Sequence, residues 1–198
     1  MSVARKTYHH GALREKLLSA SLDLVREVGV RGFALREVSR RSGVSHTAAY
    51  RHFRNKAELF AVITEEGFER LREAMERAIA KSDTPSERLQ RAGVAYVEFS
   101  QSDPERFAVM FSTEPKEELS PAASEASKRC FSLLLSLVRD CSGAFESLAA
   151  EPIALAAWAH VHGISQLALQ GHLGLKTRRQ LIEFAESATA IFVRGVAK

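Results

Sequence analysis

Apolar residues recur every three or four positions along most of this chain, and glycine or proline interrupts them at intervals. Leu13, Leu17, Ala20, Leu24 and Val28 mark one face of a first helix, which Gly29 is placed to stop. Phe60, Ile63, Gly67, Leu71, Ala74 and Ala78 mark a long helix over about 56–80, the natural lever between a head and a body. Further helices are predicted at about 86–101, 104–112, 119–143, 152–171 and 177–195. The breaks between them carry helix-start and loop signals: Ser82-Asp83-Thr84-Pro85, Ser102-Asp103-Pro104, Pro115 with Pro121, and Gly171 with Gly174. Sustained strand-like alternation is missing, so the fold class is all-α, with about nine helices.

The segment from Ala34 to Leu59 has a different texture. Two short helical stretches flank a tight Ser42-Gly43-Val44 turn and lead to a basic, aromatic exit, which is the pattern of a helix-turn-helix. Val38 is expected to face inward, Gly43 to supply the turn's permissive backbone, and Val44 and Ala49 to close a small shared core. Ser45 is placed as N-cap of the second helix. In such a motif the start of that helix enters the major groove, so His46, Thr47 and Ala48 are candidates for reading bases. Arg40, Arg41, Tyr50, Arg51, His52, Arg54 and Lys56 are expected to form a rim of phosphate donors that set position without reading sequence.

Charge supports the same division. Residues 1–56 hold twelve Lys and Arg against four Asp and Glu, whereas residues 57–198 hold sixteen against twenty; the whole chain is at +4. A basic end on an otherwise acidic molecule suits contact with a polyanion at that end. Residues 1–10, with Arg5, Lys6, His9 and His10, read as a flexible arm able to touch DNA, and without an apolar core they are not expected to act as a secretory signal.

With these residues in place, the stretch Gly32 to Leu59 resembles the DNA-binding domain of the TetR family of bacterial transcriptional regulators. Gly32, Phe33, Arg36, Val38, Gly43, Val44, Ser45, Tyr50, Phe53, Lys56 and Leu59 carry the likeness. The resemblance implies phosphate contacts from Tyr50 and Lys56 and a base contact within reach of Arg36. Departures from the family pattern are Ala34 at a Ser or Thr cap position, Ser39 for Ala, and Ala49 for Leu. It implies a DNA-binding domain with its arm over 1–56 and a ligand-binding and dimerisation domain over 57–198. Trp158-Ala-His160-Val-His162-Gly163 is similar to a Trp-His-Gly signature in the C-terminal domains of some such regulators.

The remaining features bound the function. Pro152 to Leu175 is apolar, but His160, His162, Gln166, Gln170 and His172 argue against a membrane span. The small residues Ala154, Ala156, Ala157, Ala159 and Gly163, with the stripe Leu181, Phe184, Ala188, Ile191 and Gly195, suit close helix packing; the resemblance implies a homodimer through the last two helices. Two-fold pairing would present a second reading helix about 34–36 Å from the first. Two cysteines, Cys130 and Cys141, stand eleven apart on one predicted helix, about 16.5 Å along its axis, too far for an intrachain disulfide; free thiols suit a reducing, cytoplasmic setting. His160 and His162 point about 200° apart on a helix, so no metal site is expected, and no cofactor. Without phosphate-loop, Cys-x-x-Cys, His-Glu-x-x-His or nucleophile-elbow motifs, the chain is not expected to be an enzyme. The expected function is a repressor, released from a palindromic operator on double-stranded DNA by a small hydrophobic effector lodged among Phe99, Phe107, Met110, Phe111, Phe131, Trp158 and His162. The alternative is a DNA-binding dimer controlled by a protein partner or by no ligand.

Overall fold

In a computed structural model of the chain, residues 4–112, 119–141 and 150–196 are described, with side chains from Ala12 to Gly195. Among them are nine helices and no strand: α1 (Ala4–Val28), α2 (Leu35–Arg41), α3 (His46–His52), α4 (Lys56–Ile79), α5 (Pro85–Ser102), α6 (Pro104–Met110), α7 (Pro121–Cys141), α8 (Ala150–Leu169) and α9 (Arg178–Val196). All-α is the observed class. The Pro115 end of the expected loop and residues 142–143 of the expected seventh helix lie outside the described residues.

Local chemistry sets most helix ends. Gly29 adopts φ +69° and ends α1, its N–H donating to the Val25 carbonyl at 2.8 Å. Thr84 caps α5 by accepting from the Glu87 N–H at 3.2 Å, with Pro85 at the first turn, where its missing N–H costs nothing. Thr177 and Gln180 form a reciprocal capping box at the start of α9. At the end of α8, Gly171 (φ +74°) donates to Ala168 and His172 donates to Leu167, closing a Schellman motif. The start of α1 departs from expectation. Residues 4–10 continue the helix rather than forming a flexible arm: the stretch contains no proline, and Ala4, Arg5 and Lys6 are good helix formers.

The chain divides into two compact units, Met1–Gly67 with Glu105–Ser124, and Phe68–Pro104 with Glu125–Lys198. In the first, α1, α2, α3 and the start of α4 enclose a core in which Leu17, Val38, Ala49, Leu59 and Ile63 have no exposed surface. Arg26 on α1 ties α6 through Glu105 at 2.6 Å, and Glu66 on α4 receives both Arg14 from α1 and Arg106 from α6. In the second unit α5 packs on both α8 and α9. Leu89, Ala92, Val97 and Phe99 of α5, Ala154 and Ile164 of α8, and Leu181, Ala185 and Val193 of α9 are buried there.

Gly93 lies where α5 meets the other two helices. A Cβ built there would stand 2.9 Å from Thr189 Cγ2 and 3.3 Å from Val161 Cγ1. Both neighbours are β-branched, and Thr189 is held by its bond to the Ala185 carbonyl at 2.6 Å, so neither can swing aside. Gly93→Ala is therefore expected to lose about 1–2 kcal/mol of stability despite the better helix propensity of alanine. Denaturant unfolding of the variant checks this, and pairing it with Thr189→Ser should restore part of the loss.

Candidate functional site

The turn between α2 and α3 forms as its residue types dictate. Gly43 takes φ +64°, Ser42 donates to the Val38 carbonyl at 2.9 Å, and Val44 donates to Ser39 at 3.2 Å. Ser45 Oγ accepts from the Ala48 N–H at 3.2 Å and caps α3. Ala34, at the head of α2, makes no side-chain cap, as its substitution for Ser or Thr implies. Ser39, where an alanine is usual, buries its hydroxyl by donating to the Leu35 carbonyl at 3.1 Å. Ala49 and Phe53 anchor α3 from beneath, with 0% and 1% of their surface exposed.

With that face buried, α3 presents Ser45, His46, Thr47, Tyr50 and Arg51 outward, Ala48 at the margin and His52 half-buried. The His46 and Tyr50 rings stack, with centroids 4.3 Å apart and planes at 26°. Arg36, exposed on α2, and Arg51 make no hydrogen bond or ion pair among the described residues, so their guanidinium groups are available to an external anion.

The rest of the expected phosphate rim is arranged differently. Arg41, with only 26% of its side chain exposed, bridges Glu27 at 2.6 Å and Glu37 at 2.9 Å, joining α1 to α2. Arg40 pairs with Glu37, and Arg54 with Glu58. The last two arginines are 73% and 84% exposed, and such surface pairs exchange easily for a phosphate. Lys56 is also engaged internally. Its Nζ donates to the Val30 carbonyl at 2.7 Å and lies 5.2 Å from the Phe60 ring centroid and 5.9 Å from that of Phe33. The i to i+3 and i to i+4 spacing of Glu37 with Arg40 and Arg41 is a signal in the sequence for part of this; the Lys56 clamp and the Glu27 bond leave none, because their partners are distant in the chain.

The seven candidate ligand residues divide between the units. Phe107, Met110 and Phe111 belong to the first, where Phe107 and Phe111 are 4.8 Å apart. Phe99, Phe131, Trp158 and His162 belong to the second. There, Trp158 Nε1 donates to the Tyr96 hydroxyl at 3.2 Å, which lies 2.9 Å from His162 Nδ1, and Phe131 meets the Trp158 edge. Burial pushes the Tyr96 hydroxyl above its ordinary range, lowers His162, and raises the nearby Cys130 thiol to about 12. Tyr96, the centre of this chain, was not among the residues the sequence pointed to. Trp158 is 36% exposed rather than fully lodged in a core. A surface groove of about 480 Å³ in the first unit is lined by Phe60, Val62, Met110 and Leu119 among others, and one of about 290 Å³ in the second by Gln101, Leu173 and Arg178; of the seven, Met110 lines the first and none the second. Among the described residues no group of three metal-binding side chains converges, and no helix is long and apolar enough to cross a membrane.

Two sequence families match this chain. Residues 17–63 fit bacterial regulatory proteins of the tetR family, and residues 89–191 fit the tetracyclin repressor-like C-terminal domain. A protein of unknown function from Rhodococcus sp. RHA1 is 32% identical and superimposes with a TM-score of 0.82, covering 98% of this chain and 100% of that one. The HTH-type transcriptional activator FasR of Mycolicibacterium smegmatis is 26% identical over 132 residues, 66% of this chain and 60% of FasR. The class A tetracycline repressor of transposon 1721 in Escherichia coli is 45% identical over 49 residues, 25% of this chain and 23% of the repressor. The matched segments thus span less than two thirds of either curated relative.

Two outcomes are expected from the head's internal bonds. Lys56→Met keeps the stem's packing but leaves the Val30 carbonyl without its charged donor, so urea unfolding without DNA should show a loss of about 1–2 kcal/mol. Hydrogen bonds from Arg40 and then Arg41 hold the Glu37 carboxyl down to about 2, against 4.5 when unpaired. Because its folded value is depressed, its contribution to stability is present above pH 4.5 and is lost as pH falls toward 2. Glu37→Gln should flatten the acid limb of a stability profile across that window while changing its shape little above pH 6.

Proposed function

From its membership of the tetR family, to which this chain belongs, we propose that it is a homodimeric repressor whose two α3 helices occupy adjacent major grooves of a palindromic operator until a small hydrophobic ligand releases them. On family grounds it is a DNA-binding transcriptional regulator and not an enzyme. The observation that carries the finer reading is the presentation of α3: a capped helix with a buried rear face, His46 and Thr47 exposed at its front and unpaired Arg36 and Arg51 beside it. His46, Thr47 and Ala48 face bases, with Arg36 within reach of one; Ser45, Tyr50, Arg51 and His52 hold the backbone, and Lys56 adds to them a donor left over from its bond to Val30. We assign the DNA-binding part to residues 1–56 and the ligand-binding and dimerisation part to 57–198, working in the cytoplasm.

The dimer reading draws on the outer faces of the last two helices. Phe184, Ala188, Ile191 and Gly195 share one stripe of α9, on which Phe184 is 39% and Ile191 70% exposed; Leu155 and Leu167 of α8 are 46% and 44% exposed. Apolar groups that large and that open are characteristic of a covered surface. Leu181, by contrast, is spent within its own chain, 6% exposed. The ligand would meet Phe99, Phe131, Trp158 and His162 in the second unit, with Tyr96 as the polar contact that orients it. Phe107, Met110 and Phe111 remain candidates in the first.

One set of binding measurements tests the reading. Arg51→Ala should weaken binding by a similar factor on operator and random DNA and reduce the salt slope by about one, whereas Thr47→Ala should relax sequence preference. Phe184→Asp with Ile191→Asp should yield monomers in sedimentation and lose most operator affinity. Hydrophobic ligands titrated onto a preformed operator complex should release it and change the fluorescence of Trp158, the single tryptophan. A dimer that binds operator but answers to no such ligand would instead be a regulator controlled by a protein partner, or by nothing.

A further inference from the structure

We propose that His46 selects a guanine in the operator and that the ring of Tyr50, rather than its hydroxyl, is the positioning group that makes this selection possible. The inference rests on the reading of α3 as the helix in the groove. His46 opens α3 and Tyr50 follows one turn later, so the two share a face. Helical side chains lean toward the N-terminus, which lays the Tyr50 ring along the imidazole; this accounts for the parallel stack at 4.3 Å. The platform beneath is fixed: Ser45 caps the helix, Ala49 is fully buried, and Phe53 closes its end. An imidazole whose face is occupied in this way can approach a base only with its edge.

That edge carries one N–H donor and one acceptor nitrogen when neutral. In the major groove guanine offers two adjacent acceptors, N7 and O6, so one donor finds a partner over a range of small displacements. Cytosine offers a donor, thymine one acceptor beside a methyl group, and adenine a donor beside its N7. Guanine is the base that a single, rigidly held donor tolerates best. Because the stack already orders the imidazole, less rotamer freedom is lost on binding. The Tyr50 hydroxyl, at the far end of a ring that is 38% exposed, is left for the phosphate backbone. One side chain thus has two separable duties.

The test uses the full-length protein on an operator obtained by selection from random DNA. Affinities are measured for wild type, His46→Ala, Tyr50→Phe and Tyr50→Ala on that operator, on operators with the guanine changed to each other base or to 7-deazaguanine, and on random DNA. Wild type should lose about tenfold when the guanine becomes another base and less on 7-deazaguanine, which keeps O6, and His46→Ala should be indifferent to both. Tyr50→Phe should keep the full discrimination while weakening on operator and random DNA alike. Tyr50→Ala should discriminate as poorly as His46→Ala. Tyr50→Ala or His46→Ala with wild-type discrimination between guanine and the other bases would overturn the proposal while leaving the DNA-binding reading intact. Should Tyr50→Ala fail to fold by circular dichroism, Tyr50→Leu, which keeps apolar bulk without a ring, takes its place with the same expected outcome. Failure of the wild type to bind any DNA would overturn both.

Discussion

Two seven-residue helices cannot persist in water by themselves. α2 and α3 are each that length, well below what an isolated helix needs, so both exist only because Val38, Ala49 and Phe53 are sealed against α1 and the start of α4. This burial orients everything the head presents. It commits one face of α3 inward and thereby commits the opposite face, with His46, Thr47 and Arg51, outward. The left-handed Gly43 and the Ser45 cap refine the geometry, but neither could hold a helix of two turns without the apolar contact beneath.

A consequence follows for the charges. A head with eight excess positive charges invites the view that every cation waits for phosphate. Instead Arg41 and Lys56 already engage partners within the head, one with Glu27 and Glu37, the other with the Val30 carbonyl beside two aromatic rings. These bonds brace the head, the first across its surface from α1 to α2 and the second, half-buried, onto the turn after α1. Among the described residues Arg36 and Arg51 have no such partner, and Arg40 and Arg54 hold theirs from largely exposed side chains, where ion pairs exchange at little cost. The charge excess is therefore graded into supports and available groups, and net charge alone does not distinguish them.

The second unit balances burial differently. Its α5 lies against both α8 and α9, with Gly93 at the tightest approach, and it carries Tyr96 into a chain of polar groups with Trp158 and His162. The same two helices leave large apolar side chains exposed, Leu155 and Leu167 on α8 and Phe184 and Ile191 on α9. One face of each helix thus completes the chain's own core while another remains apolar and open, the arrangement on which the proposed pairing of subunits rests.

Much of this was legible in the residues. The 3.6-residue period located the longer helices and the turn motif the two short ones, Gly29, Gly43 and Gly171 marked positions of positive φ, and Ser45 announced its cap, because each depends on neighbours a few positions away. The family likeness was likewise written in a contiguous segment. Contacts between residues far apart in the chain were not legible. The clamp of Lys56 on Val30, the bond of Arg41 to Glu27, the place of Tyr96 between Trp158 and His162, and the division of the seven ligand candidates between two units all emerge only when helices pack. Sequence by itself determined where the long helices run, where the turn of the head falls and which end is basic, since local hydrogen bonding and composition decide those. Tertiary structure decided which cations, rings and apolar faces remain available, since availability is what is left after the core has taken its share.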